Sequence, residues 1–67
     1  MIARDVGDRR GEGASLYNLG LAYKNLGESH RAIAVLGEAL VIFEAIESPH
    51  AAQVRATIAG LNKEGDA

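Results

Sequence analysis

Apolar residues recur along this chain in steps of three and four, the period of an amphipathic helix. Leu16, Leu19, Tyr23 and Leu26 mark one such face, and Gly27 interrupts it. Glu28 and Ser29 supply turn and cap chemistry, so a first helix is expected to end near Leu26 and a second to open at Glu28 or Ser29. The second helix, to about Ile46, is apolar on two sides. Ile33, Leu36, Leu40 and Phe43 form one stripe, and Val35, Ala39, Ile42 and Ile46 form the other. One partner needs one stripe, so two stripes call for two partners. Ser48-Pro49 then signals a third helix, with Ser48 as N-cap and Pro49 at the first helical position. Its apolar face is Ala51, Val54, Ile58 and Leu61, and its polar face is Gln53, Arg55, Thr57 and Asn62. The last residues, NKEGDA, are polar and expected to fray, leaving 64–67 as a loose tail.

The start of the chain is less regular. Ile2 and Val6 fit the tail of a helix over residues 1–7, with Gly7 as its C-cap and Asp8 as the next N-cap. GDRRGEG reads either as a loop or as the opening of a helix from about Arg9. The helical reading accepts Gly11 and Gly13 inside its first turns at about 1 kcal/mol each against alanine. That cost points to close packing at these positions or to a weak first turn.

Gly20 and Ala32 are small residues placed so that the first two helices can lie close together. The full pattern is Leu16-x2-Leu19-Gly20-x2-Tyr23, then Gly27, Ala32-x3-Leu36 and Ala39. It resembles the tetratricopeptide repeat, with Leu16 at the usual tryptophan position and Leu36 at the usual phenylalanine. The wide spacing before YNLG resembles the long, roughly 40-residue variants of that repeat. A shift of 40 residues sets Ile2 on Ile42, Val6 on Ile46, Asp8 on Ser48, Gly20 on Gly60 and Leu21 on Leu61. The resemblance implies an all-α fold: the tail of a preceding repeat helix over 1–7, one helical hairpin over 8–47, and a capping helix over 48–63. The third helix departs from the pattern, with Ala59 and Lys63 where Leu19 and Tyr23 stand in the first, which suits a terminal cap.

Composition narrows the function. Sixty-seven residues hold at most one small domain, which buries only about 60% of the surface its unfolded chain exposes. No cysteine is present to staple it, which fits a reducing compartment. Seven basic and nine acidic residues give a net charge of −2, and no basic stripe longer than Arg9-Arg10 occurs, so nucleic acid is not expected as a partner. Asp5, Asp8 and Glu12 surround that pair and make a neutralised surface the simpler reading of it. The longest apolar run, Ala39 to Phe43, is too short to span a membrane, and Arg4 and Asp5 interrupt any signal-peptide core. A soluble, cytoplasmic protein is expected.

Candidate chemistry is sparse. His30 and His50 each lie at a helix start without well-placed second ligands, so no metal or cofactor is expected. No cysteine nucleophile, serine on a strained elbow or phosphate loop after a strand is present. Glu44 and Glu47 read as the solvated side of the second helix. The expected function is therefore protein–protein interaction without catalysis. An enzyme fragment, the remaining class, would need a longer parent chain. With one and a half repeats, the chain is expected to self-associate, most simply as a symmetric dimer burying Val35, Ile42, Phe43 and Ile46. An extreme form straightens residues 2–26 into one helix that swaps between chains. The alternative is a peptide-binding segment of a larger regulatory protein. There the resemblance implies a concave face carrying Tyr17, Asn18, Leu21, Lys24 and Asn25.

Overall fold

The computed structural model of the chain describes residues 6–66, with side chains over 8–63. These residues form three helices: α1 at Val6–Asn25, α2 at Ser29–Ala45 and α3 at His50–Asp66. The fold is all-α, with no strand among the described residues. Helix α2 lies between the other two and packs against both.

Helix α1 begins earlier than the glycine pattern suggested. Gly7 is part of it rather than a C-cap, and Asp8 sits in its first turn rather than before it. Of the expected helix tail over residues 1–7, residues 1–5 lie outside the described residues. Gly11 and Gly13 are both helical, so GDRRGEG and the following stretch form one continuous helix. At the other end α3 runs to Asp66, beyond the expected helix end at residue 63.

The contact between α1 and α2 is built on two glycines. A Cβ at Gly20 would stand 2.6 Å from Leu36 Cγ and Cδ2, and one at Gly13 would stand 3.0 Å from Phe43 Cζ and 3.2 Å from Ile42 Cγ2. Both glycines are buried, as are Leu36 and Phe43. Seven residues up α1 corresponds to seven residues down α2, so the two contacts share one antiparallel register. Ala32 contributes its carbonyl oxygen, 3.5 Å from the position a Cβ would take at Gly20. The group seated on Gly20 is thus Leu36, with Ala32 beside it. Each glycine costs a helix about 1 kcal/mol. Burying a side chain such as Leu36 or Phe43 contributes roughly 1.5–3 kcal/mol, so burial outweighs the propensity loss.

That register redraws the apolar face of α1. Its flanks are Leu16, Tyr17 and Tyr23, half-buried against the core. Leu19 and Leu26, expected on the packing stripe, are 45% and 70% exposed. At about 100° per residue, Leu19 lies roughly 100° around the helix from Gly20, so the glycine line rather than the leucine line faces α2.

Both stripes of α2 meet partners within the chain. The fully buried residues Ala32, Leu36 and Ala39 lie on it, next to Phe43 and Ile42. Ala51, Val54 and Leu61 of α3 complete the core, with Ile58 at its edge, as the three-four-three spacing predicts. An exposed ion pair between Arg55 and Glu44 at 2.8 Å also ties α3 to α2, and such pairs contribute at most about 1 kcal/mol.

The two turns are closed in the same way. After α1, Glu28 N–H donates to the Tyr23 carbonyl at 2.9 Å and Gly27 N–H to Lys24 at 3.0 Å, with Gly27 at φ 81°. After α2, Ser48 N–H donates to Phe43 at 2.8 Å and Glu47 N–H to Glu44 at 3.1 Å, with Glu47 at φ 55°. Both are Schellman caps, which need a left-handed residue. Gly27 takes that conformation freely, whereas Glu47 carries a Cβ into it. The Ser48 hydroxyl then accepts from the His50 N–H at 3.2 Å, opening α3 as its N-cap. Helix α2 opens on Glu28, which makes no side-chain cap bond and instead pairs with Arg31 at 3.1 Å.

Three measurements by urea unfolding check this account. Gly20→Ala is expected to destabilise the chain by about 1–3 kcal/mol, the range of overpacked cores. Gly11→Ala, with nothing within 4 Å of its new methyl, is expected to stabilise it by about 1 kcal/mol. Equal effects at the two sites would contradict the glycine contact. Glu47→Gly is expected to stabilise by about 0.5–1 kcal/mol, because relief of the left-handed Cβ exceeds glycine's entropic cost.

Candidate functional site

The register that seats Phe43 under Gly13 leaves an opening above it. Helix α3 starts from the Ser48 cap and sends its first two turns past the N-terminal half of α1 without closing onto it. The result is a groove of about 210 Å³ lined by Arg10, Ala14, Tyr17 and Asn18 from α1, Phe43 from α2, and His50, Gln53 and Val54 from α3. On α1 the residues Arg10, Ala14 and Asn18 follow a four-residue spacing and so form one line along the helix. Ala14 leaves the middle of that wall low. The floor is apolar, with Phe43 and Val54 both buried. The His50 ring lies 5.5 Å from the Phe43 ring, tilted by 52°, and so joins the α3 wall to the floor.

Of the residues expected on a concave face, Tyr17 and Asn18 line this groove. Leu21 is half-buried outside the lining, and Lys24 and Asn25 are exposed in the last turn of α1. The physical reason is that α3 begins beside the N-terminal half of α1, so the far end of α1 has no facing wall. Arg10 was read as part of a neutralised patch, yet it lines the groove. Its neighbour Arg9 does not; it is half-buried with its Nε enclosed and without a partner among the described residues. His50, Gln53 and Val54 carried no signal of a site in the sequence, because only the placement of α3 brings them opposite α1. The four-residue line running back from Asn18 through Ala14 to Arg10 was the one clue available.

The expected self-association surface is corrected. Ile42 and Phe43 are buried inside the chain, under Gly13. Val35 and Ile46 are half-buried, and Ile46 packs on the core. The second partner that α2 requires is α3 of the same chain. Among the described residues, the large apolar side chains left in solvent are Leu19, Leu26 and Val41, the last 64% exposed.

Among the described residues no group of three or more histidine, aspartate or glutamate side chains is placed to hold a metal ion. No described helix is long and apolar enough to cross a membrane. No family model, curated protein or solved structure matches the chain.

Proposed function

We propose that this chain is a non-catalytic protein-interaction module, a helical hairpin on the tetratricopeptide plan with a capping helix, that receives an extended segment of a partner protein between α1 and α3. One observation carries the reading. The groove sets an apolar floor among polar side chains of Arg10, Tyr17, Asn18, His50 and Gln53, and none of these side chains holds a hydrogen bond or ion pair among the described residues. An extended peptide brings unpaired backbone groups and one or two apolar side chains, and such a wall and floor match both needs. The resemblance to tetratricopeptide arrays supports the same placement, since peptide contacts there fall on the first helix of each repeat. The lack of cysteine supports a cytoplasmic setting.

Selection of a random peptide library on the immobilised chain tests the reading. Selected peptides are expected to shift the backbone amide resonances of residues 10–18 and 50–54. Asn18→Ala is expected to weaken them by roughly five- to tenfold, the worth of about one net hydrogen bond. Shifts confined to other surfaces, or unchanged affinity in Asn18→Ala, would overturn it.

Self-association as a symmetric dimer is a second reading, favoured by the exposure of Leu19 and Leu26. They are seven residues apart on α1 and therefore stand on the same side, two turns from each other. An isolated repeat and a half leaves faces that a longer array would cover. Light scattering at micromolar concentration is expected to return the mass of a dimer, and Leu19→Glu with Leu26→Glu that of a monomer. A wild-type monomer would refute this second reading.

A further inference from the structure

We infer that the groove between α1 and α3 selects acidic segments, in which a side-chain carboxylate stands next to an apolar residue. The inference rests on the proposal that the groove is a protein-binding site, and it adds the chemistry of the occupant. Among the described residues of the lining, Arg10 carries a permanent positive charge and none is a carboxylate. The chain as a whole carries a net charge of −2, so the groove is a cationic spot on an acidic molecule. Such a contrast draws anionic segments to one place and repels them from most of the rest of the surface.

The guanidinium of Arg10 is also uncommitted. Arg31 and Arg55 each hold a glutamate, at 3.1 and 2.8 Å. Arg10 makes no ion pair or hydrogen bond among the described residues. Its five donors form a planar fork that fits a carboxylate through two parallel hydrogen bonds. Across the groove stands the first turn of α3, whose positive dipole end adds attraction of the same sign. The neutral amides of Asn18 and Gln53 donate and accept, which suits peptide backbone on either side of the charge.

The size suits a single side chain better than a cofactor. About 210 Å³ is below the range of roughly 300–1,000 Å³ typical of small-molecule and cofactor sites. It accommodates a side chain anchored over Phe43 and Val54. An apolar residue adjacent to the carboxylate fills that space while the carboxylate reaches Arg10 on the rim.

Three end-capped peptides in one glycine-flanked frame test this: Leu-Glu-Leu, Leu-Gln-Leu and Leu-Lys-Leu, titrated into the labelled chain and followed by amide shifts. The glutamate peptide is expected to bind roughly tenfold more tightly than the glutamine peptide, and the lysine peptide most weakly. Added salt is expected to reduce the difference. In Arg10→Gln the glutamate preference is expected to vanish, and in Arg10→Lys to persist in part. Arg10 is exposed, so both variants should keep the wild-type circular dichroism and melting curve. Equal binding of the glutamate and glutamine peptides within the groove would overturn the acidic selection and leave the groove standing as a binding site. A preference that survives Arg10→Gln would also overturn the selection. Shifts outside residues 10–18 and 50–54, or no shift with any of the three peptides, would overturn the groove reading and the selection with it.

Discussion

The structure depends on two large side chains set into two missing ones. Leu36 and Phe43 of α2 lie over Gly20 and Gly13 of α1, at the same spacing and in opposite directions. A side chain at either glycine would push the helices apart by displacing a leucine branch or a phenyl ring. Close packing of this kind is intolerant of even one added methylene. The rest follows from the distance it sets. Tyr17, Leu16 and Tyr23 reach the core as flanks because the helix axes are close, and Leu19 and Leu26 rotate out of it.

The same contact creates the groove. With Phe43 pinned under Gly13, its ring becomes a floor rather than an outer surface, and His50 rests against it as α3 begins. Helix α3 packs mainly on α2, which leaves a gap between α3 and the N-terminal half of α1. A chain this small has little apolar surface to bury, and here the central helix carries most of the core. The polar side chains around the gap make no hydrogen bond or ion pair among the described residues. That combination, a buried apolar floor with unspent polar groups above it, is what a binding surface needs and what a closed core would not tolerate.

Strain is confined to a place where it can be carried. Both inter-helix turns use the same hydrogen-bond pattern, yet only the first has glycine at its left-handed position. Glu47 in the second is held there because Ser48 must donate back to Phe43 and then cap α3. The entry angle of α3, and with it one wall of the groove, depends on that strained residue.

Much of this was legible in the sequence, and the rest was hidden for definite reasons. The existence of three helices, the turn at Gly27, the Ser48 cap, the apolar face of α3 and the missing side chain at Gly20 are local facts. Each follows from spacing, cap chemistry or the absence of a Cβ, and needs no knowledge of distant residues. The facing of α1 is not local. A glycine carries no hydrophobic signal, so the period pointed to Leu19 and Leu26 when the true contact line ran through Gly13 and Gly20. Ile42 and Phe43 read as part of a self-association surface because nothing in the chain's order says that α1 and α3 cover both sides of α2. Arg10, His50, Gln53 and Val54 come together only when α3 lies beside α1, some forty residues later in the chain. Sequence alone thus determined that three helices form and where the two turns between them fall, since hydrogen bonds within a few residues decide that. Tertiary structure decided which faces are buried and where the groove lies, because burial depends on partners far along the chain.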